Sequence, residues 1–380
     1  MTRMSLSENI HATVSSELQQ CIRCNRCLDA CPVTKTGVTI DELNQATQLG
    51  TPVSGVISAF AFSCVQCARC VPVCPVGLHR DEMMLVLRAK LRNKKPYSYK
   101  RYLAIRGPNL DPIASTAQRL FTALKAQRAP DLARFMERTP KEKAQVVFYP
   151  GCYLYSFDTM RRTLRLLDHI GTPYVVLGGM NTCCGIPHLL QGEFARADHC
   201  FNILHERLRK LAPRVVITGC AECLEALLRV KEHFRCDYDA LSVVEYLMKN
   251  IKKFPSVKIR GPVTLHDSCR LTRRYNHGGI TRKAISQFTD LVEMRESGDT
   301  AMCCYHWNHD FDPENMRRRR DRLAEAHRCA TTMICDCITC YEEFKKLDTD
   351  VEVLDILQLF EETLTLEGKR NGPTKKVKNG

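Results

Sequence analysis

The chain has 380 residues, a formal net charge of +14 and 22 cysteines. A chain of this length can form two or three domains with cores of their own, so it does not need disulfides to fold. No charged-then-apolar leader precedes the first cysteine cluster, so we expect a cytoplasmic protein whose reduced thiols bind metal or do redox work. Apolar tracts such as residues 53–62 are broken by Ser and Gly and are too short to span a membrane.

Two runs near the start, residues 21–32 and 64–75, share the spacing C-x2-C-x2-C-x3-C-P. This run is typical of bacterial two-cluster ferredoxins, in which three thiolates of one run bind a [4Fe-4S] cubane and the fourth crosses to the other cluster. Zinc is disfavoured, because it gives no reason for a third thiol followed by Cys-Pro. We therefore predict two cubane clusters. Their ligands are Cys21, Cys24, Cys27 and Cys74 for one, and Cys64, Cys67, Cys70 and Cys31 for the other.

Residues 78–92 are predicted to form an amphipathic helix, in which Met83 and Met84 are packing residues rather than ligands. This helix closes a helical ferredoxin-type domain over residues 1–95. Residues 96–144 turn to Lys, Arg, Pro and Tyr with weak periodicity, which indicates a linker with a helix around residues 114–128. The basic and aromatic segment 97–102 could contact a partner or a membrane surface, although a solvated linker is the favoured interpretation.

From Gln145 onward, short apolar runs alternate with helical patterns, which is the signature of α/β units. We predict strands at 146–149, 174–177, 215–218, 263–266, 291–294 and 333–334, and helices at 159–169, 193–210, 241–251 and 354–364. The fold class is therefore α+β and α/β. The ferredoxin-type domain is followed by two tandem α/β repeats with short parallel sheets, over residues 145–255 and 256–366. Residues 367–380 are predicted to be a disordered basic tail.

Each repeat carries five cysteines in the same order. The first set is Cys152, Cys183, Cys184, Cys220 and Cys223, and the second is Cys269, Cys303, Cys304, Cys337 and Cys340. They follow the predicted carboxyl ends of strands, where open α/β sheets place their sites and where helix N-termini favour anionic groups. Two adjacent cysteines with three more suit a polynuclear iron site better than a tetrahedral zinc ion. Of the others, Cys200 and Cys329 are interpreted as packing thiols, and Cys335 as either packing thiol or ligand.

The first set resembles the cysteine-rich CCG domain in the B-type polypeptide of heterodisulfide reductases, through Tyr149-Pro150-Gly151-Cys152, Cys183-Cys184-Gly185-Ile186-Pro187 and Cys220-x2-Cys223. In the second repeat, His266-Asp267-Ser268-Cys269 is similar to the His-Asp-Pro-Cys segment of the same domain, with Ser268 in place of proline. The ferredoxin stretch resembles the C-type polypeptide. Residues 15–365 thus look like the C/B fusion that some methanogens use as a D-type polypeptide. Iron-sulfur subunits of glycerol-3-phosphate, glycolate and lactate oxidoreductases share this layout.

The resemblance implies that each complete five-cysteine set is a catalytic centre that holds a noncubane [4Fe-4S] cluster, so the chain would carry one or two of these. One departure follows the second cysteine pair, where the family pattern has Gly and this chain has Tyr305. Because Tyr adopts φ > 0 less readily than Gly, we expect an altered cluster geometry or a reshaped pocket there. His306 and His309 could donate protons to a departing thiolate or bind metal, but loop histidines more often do neither.

These features predict a heterodisulfide reductase-like iron-sulfur oxidoreductase. Its cubanes would pass electrons to the CCG clusters, which would reduce a disulfide of the CoM-S-S-CoB type, on a small molecule or a protein. The alternative is an electron-transfer subunit of a flavin-dependent glycerol-3-phosphate, glycolate or lactate dehydrogenase that delivers electrons to quinone.

Three further expectations concern partners. No G-x-G-x-x-G follows a predicted strand, so no flavin is expected on this chain. The expected partner is a flavoprotein subunit or a membrane cytochrome, which would place the chain in the cytoplasm or at the inner face of the membrane. No nucleic-acid partner is expected, because basic residues are dispersed and each cubane with four thiolates carries a charge of about −2.

Overall fold

A computed structural model of the chain describes residues 5–33, 37–91, 124, 127–137, 140, 142–151, 156–178, 182–306 and 313–370. Cys152, His309, most of the predicted linker helix and the tail at 371–380 lie outside the described residues. Within the described ranges, no helix is both long and apolar enough to cross a membrane.

The N-terminal unit is helical, as predicted. Its helices are α1 (Leu6–Gln19), α2 (Arg26–Asp29), α3 (Ile40–Thr47), α4 (Gly55–Ser63) and α5 (Arg80–Lys90). Helix α1 begins with a capping box, in which the Ser5 side chain accepts from the Glu8 backbone N–H and the Glu8 side chain accepts from the Ser5 backbone N–H. Helix α5 is the centre of the unit, and Met83 and Met84 are buried in it. They are therefore packing residues, and the two cysteine runs form the loops around this helix.

The first α/β unit contains a four-stranded, fully parallel sheet. Its strands are β1 (Val146–Phe148), β2 (Tyr174–Val176), β3 (Val215–Thr218) and β4 (Asp239–Ser242), in the order β2-β1-β3-β4. Its helices are α6 (Pro130–Glu137), α7 (Phe157–Ile170), α8 (Ile186–Leu190), α9 (Phe194–Leu211), α10 (Ala221–Phe234) and α11 (Val243–Lys249). In the centre of the sheet, Val147 of β1 pairs with Val175 on one side and Val216 on the other. Continuous apolar strands of this kind fit a sheet that is covered on both faces.

The second α/β unit contains a three-stranded parallel sheet. Its strands are β5 (Thr264–His266), β6 (Thr332–Cys335) and β7 (Glu352–Asp355), in the order β5-β6-β7. Its helices are α12 (Cys269–Tyr275), α13 (Gly278–Phe288), α14 (Pro313–Cys329), α15 (Ile338–Lys345) and α16 (Leu357–Arg370). The strand predicted at 291–294 is reduced to one parallel bridge between Leu291 and Val263.

Strands β4 and β7 correct two helix predictions. The helices predicted to start at Leu241 and Leu354 start instead at Val243 and Leu357, because the preceding residues pair in the sheets. Both strands have only four residues. Each contains a buried leucine, Leu241 or Leu354, whose spacing also fits the apolar face of the helix that follows. In contrast, the predicted helix stop at Gly171 is confirmed, and this glycine has φ +74°.

One apolar core runs through both α/β units. It includes Phe148 and Ile217 of the first sheet, Leu265 and Ile334 of the second, and Phe360 of α16. The Phe360 ring makes edge contacts with Phe254 and Phe288, at centroid distances of 5.2 and 4.9 Å. The two sheets are thus held together in one body, and the loops that carry the cysteines meet near their carboxyl ends.

Candidate metal centres

The first four-cysteine site is a cavity of about 340 Å³, lined by Cys21, Cys24, Cys27 and Cys74. The structure therefore brings three cysteines of the first run together with the last cysteine of the second. The Asn44 side-chain amide and the Arg80 guanidinium donate to the Cys21 Sγ atom at 3.3 and 3.5 Å. Burial opposes ionisation of this thiol, but the hydrogen bonds from Asn44, the Arg23 backbone and Arg80 outweigh it and lower the pKa of Cys21.

Both cysteine runs share an unusual backbone. Arg23 and Gln66, each two residues after the first cysteine of its run, have φ of 58° and 55°. Asn25 and Ala68, each one residue after the second cysteine, have φ of 62° and 56°. Left-handed conformations of this kind cost energy for residues other than glycine, and they turn successive N–H groups into anion-binding concavities. The donor set and the loop shape fit a [4Fe-4S] cluster.

The second four-cysteine site contains Cys31, Cys64, Cys67 and Cys70. The Cys70 thiol lies within electrostatic range of the other three. Burial raises the pKa of Cys64, Cys67 and Cys70, while the Gln66 backbone N–H donates to the Cys64 Sγ atom at 3.4 Å. Buried thiols of this kind ionise when a positively charged metal centre replaces the lost hydration. The four sulfur donors therefore also fit a cluster.

Four cysteines of the first five-cysteine set come together in the first α/β unit. Cys184 forms thiol hydrogen bonds with Cys183 and Cys223, and Cys223 with Cys220. The bond with Cys183, together with burial, raises the pKa of Cys184 well above its ordinary value. The fifth cysteine, Cys152, lies outside the described residues. Its neighbour Gly151 is at the site, since a Cβ atom there would collide with the Cys223 Sγ atom.

A sixth thiol joins this group. Cys200, which was predicted to be a packing residue of α9, forms a hydrogen bond with Cys183, and this bond raises the pKa of Cys200. Gly185, which follows the cysteine pair, has φ +77°, and a Cβ atom on it would lie 2.8 Å from the Cys200 Cβ atom. Glycine is thus required here both for the backbone conformation and for the close approach of α9.

All five cysteines of the second set are described, and they form one continuous group. The Sγ atoms of Cys269 and Cys303 lie 3.8 Å apart, and thiol hydrogen bonds continue from Cys303 through Cys304 and Cys340 to Cys337. The bond from Cys303 lowers the pKa of Cys304 to about 6, and the bond from Cys340 lowers the pKa of Cys337 to about 6. The thiolate, which these hydrogen bonds favour, is the form of cysteine that binds metal.

The residue after the second pair, Tyr305, keeps the backbone conformation that glycine has in the first set. Tyr305 adopts φ +57°, the same left-handed region as Gly185, so the backbone turn is kept without glycine. Its side chain is fully buried, and its backbone N–H donates to the Cys303 Sγ atom at 3.3 Å. The next residue, His306, lies with its Nδ1 atom 3.1 Å from a carboxylate oxygen of Glu343.

Comparison with known families agrees with this arrangement of cysteines. Residues 20–78 match the 4Fe-4S dicluster domain, and residues 146–227 match the cysteine-rich (CCG) domain. The chain combines a 4Fe-4S dicluster domain with a cysteine-rich domain. We therefore call the N-terminal unit the dicluster domain and the first α/β unit the cysteine-rich domain.

Individual relatives point the same way. The D-type polypeptide of dihydromethanophenazine:CoB–CoM heterodisulfide reductase is 25% identical in Methanosarcina barkeri and 28% identical in Methanosarcina mazei, over 43% of this chain and 43% of the relative in each case. The probable iron-sulfur-binding oxidoreductase FadF of Bacillus subtilis is 26% identical over 54% of this chain and 33% of the relative. The chain thus spans less than half the length of these relatives. Over the matched part, the chain is similar to the D-type polypeptide of heterodisulfide reductase.

A cavity that is open to solvent lies between the cysteine-rich domain and the second α/β unit, and it reaches both five-cysteine sets. Cys220 lines it from the first set and Cys337 from the second, and Cys335 contributes a further thiol. Two aspartates complete the polar wall. Burial raises the pKa of Asp336 to about 8, and Asp355 accepts hydrogen bonds from Thr159 and Arg162. The cavity thus has a thiol from each set. Neither aspartate is a free negative charge, because the pKa of Asp336 is raised and Asp355 is paired with Arg162.

The second four-cysteine site adjoins the second five-cysteine set. Cys67 lies within electrostatic range of Cys269 and Cys303, and Arg273, four residues after Cys269, donates to the Cys67 carbonyl oxygen at 2.7 Å. The same apolar cluster contains Cys67, Cys303 and Tyr305, with Cys269 packed against it. A dicluster site and a five-cysteine site are therefore direct neighbours.

A buried ionic network joins the three units. Glu225 of α10 is fully buried and accepts hydrogen bonds from Arg270 and, at 2.8 and 3.0 Å, from Arg274 and Arg229. Arg229 and Arg274 also contact Glu82 of α5 in the dicluster domain. Burial opposes the charge of Glu225, but Arg270, Arg274 and Arg229 together hold the pKa of Glu225 well below its usual range. The network fixes the dicluster domain against both five-cysteine sets.

Proposed function

We propose that the chain is the iron-sulfur subunit of a disulfide reductase, in which residues 145–255 and 256–366 are paired cysteine-rich repeats that act on one disulfide. The observation that supports this most directly is the shared cavity, in which Cys220 and Cys337 face one space from opposite repeats. A disulfide has two sulfur atoms to be reduced, and two facing metal-thiolate sites can each receive one of them.

The proposed ligand sets are those predicted from the sequence. Cys21, Cys24, Cys27 and Cys74 would bind one cubane of the dicluster domain, and Cys64, Cys67, Cys70 and Cys31 the other. The five-cysteine sets would each bind a noncubane cluster. When bound, such clusters supply single electrons and an iron that stabilises thiolate.

The proposed reaction splits the S–S bond of the substrate. Two electrons and two protons enter, and two thiols leave, so each sulfur atom gains one electron and one proton. The dicluster domain would deliver the electrons singly, and the proximity of Cys67 to Cys269 and Cys303 supports entry at the second repeat. The electron source would be a separate flavoprotein or membrane cytochrome. The two domain families that match this chain are a 4Fe-4S dicluster domain and a cysteine-rich domain, and neither is a flavin or haem domain.

A second candidate function is supported by the similarity to FadF, a probable iron-sulfur-binding oxidoreductase. In that case the chain would carry electrons from a flavin dehydrogenase to quinone, and no small molecule would react in the cavity between the repeats. Both functions use the dicluster domain, so they differ in the terminal acceptor.

The two functions are distinguished by an anaerobic assay of the cluster-loaded chain, with reduced viologen as donor. Disulfide reductase activity predicts that the chain accelerates oxidation of the dye by bis(2-hydroxyethyl) disulfide above the protein-free rate and does not accelerate its oxidation by a short-chain quinone. Cys184→Ser should abolish the reaction with disulfide while the EPR signals of the dicluster domain remain. Cys329→Ser is the matched control, because this thiol is at the end of α14, outside both five-cysteine sets, and donates to the Glu293 carbonyl oxygen at 3.7 Å. Full disulfide reduction by Cys184→Ser would refute the proposal.

A further inference from the structure

Tyr305 occupies a position where the first repeat has glycine, and its side chain therefore has no counterpart at the first five-cysteine set. Its left-handed backbone places the ring in the interior, with no exposed surface. A left-handed tyrosine costs on the order of 1 kcal/mol or more relative to glycine. Some contact of the buried tyrosine side chain must therefore offset the free-energy cost of its left-handed backbone.

The surroundings of the ring show where this contact lies. The apolar cluster around Tyr305 contains Leu28 and Val65 of the dicluster domain, together with Cys67 and Cys303. The Arg318 guanidinium lies over the ring, 4.9 Å from its centroid. The Tyr305 ring thus packs between a dicluster site and the second five-cysteine set.

The hydroxyl group of Tyr305 is the unexplained feature. It is buried, and among the described residues it has no hydrogen-bond partner. Leaving a buried donor unpaired costs about 1–3 kcal/mol, so an acceptor belongs at this position. A tyrosine hydroxyl carries one hydrogen to donate, and sulfur can accept it. Cys303 and Cys67 belong to the same apolar cluster as Tyr305, so the sulfur-rich sites lie beside this ring.

We propose that Tyr305 donates its hydroxyl hydrogen bond to a sulfur atom of the cluster held by the second five-cysteine set. The inference rests on the proposed function, because it requires a cluster on that set. A hydrogen bond to cluster sulfur stabilises the reduced, more negative state and raises the reduction potential. The first set has glycine at this position, so the two sets would differ in potential, and the second set would be the easier one to reduce.

The test is an EPR-monitored redox titration of the cluster-loaded Tyr305→Phe chain. Phenylalanine removes only the hydroxyl, so the equilibrium constant for one-electron reduction of the second-set cluster should fall about tenfold, equivalent to about 59 mV. The signals of the first set and of the dicluster domain should keep their potentials. Tyr305→Gly, which suits the left-handed backbone, is a second variant without the hydroxyl and should show the same shift.

Tyr238→Phe is the matched control, since it removes a buried hydroxyl that donates to the Leu227 carbonyl at 2.8 Å in the first repeat. Signals are assigned to the second set by their loss in Cys303→Ala. If the second-set signal is present but its potential is the same in Tyr305→Phe and wild type, the role of Tyr305 is overturned while the proposed function stands. If Cys303→Ala changes neither the spectrum nor the iron content, both are overturned.

Discussion

The substitution Glu225→Gln tests whether the buried ionic network holds the three units together. Glutamine keeps the size of the side chain but removes its charge, so Arg270, whose side chain is 4% exposed, loses its carboxylate partner. Arg229 and Arg274 keep Glu82 as a partner. The dominant loss is therefore one buried charge left without compensation, which costs about 3–5 kcal/mol.

A loss of this size is measurable by calorimetry of the cluster-loaded chain under anaerobic conditions. The thermal midpoint of the body that the two α/β units form should fall by about 6–20 °C, given about 2–4 °C per kcal/mol for units of 150–250 residues. Glu206→Gln is the control, because Glu206 pairs with Arg209 on the surface and its side chain is 52% exposed. Its midpoint should equal that of wild type. An equal midpoint for Glu225→Gln would show that the network does not stabilise the assembly.

Three further outcomes are expected. Because the pKa of Glu225 is depressed in the folded state, its contribution is present above the unfolded value of about 4.3 and is lost as pH falls. The midpoint of wild type should therefore drop more steeply than that of Glu225→Gln as the pH falls below about 4.3. In competition assays, uncharged bis(2-hydroxyethyl) disulfide should bind the cavity more tightly than bis(2-sulfonatoethyl) disulfide, because the lining that the structure describes contains no Lys, Arg or His to pair with a buried sulfonate; tighter binding of the sulfonate would contradict this. Gly185→Ala should lose the first-set cluster, measured as iron per chain, whereas Gly171→Ala should keep it. Both glycines have positive φ, but only at Gly185 would the new Cβ atom meet other atoms.

The sequence predicted those parts of the fold and site that depend on local pattern. Strand β3 was predicted with its exact limits, because four apolar or β-branched residues lie between a polar loop and a cysteine that begins a helix. The two four-cysteine sites were predicted from a repeated spacing, and the structure gathers Cys74 with the three cysteines of the first run. Such features are encoded within a few residues of one another.

The features that the sequence did not reveal depend on contacts between distant segments. Cys200 has the spacing of a packing residue in α9, and only the close approach of Gly185 places it beside Cys183. The sequence alone predicts Glu225 to be an ordinary solvent-exposed charge on a helix. Its apolar neighbours Leu224 and Ala226, which are also buried, could have indicated that it is buried. Tyr305 was recognised as a departure, but its left-handed conformation is stabilised by burial among residues from the dicluster domain. No local pattern contains that information.

The central claim, that the paired repeats act on a disulfide, is tested most directly by EPR of the oxidised, cluster-loaded chain with and without added thiol. A thiol that binds at a five-cysteine set should produce a new paramagnetic signal, and Cys184→Ser should change or abolish it, while Cys329→Ser should not. The proposal predicts a thiol-dependent signal that requires the cysteine pairs. A spectrum that is unaffected by thiol at saturating concentration, with all clusters present, would contradict it.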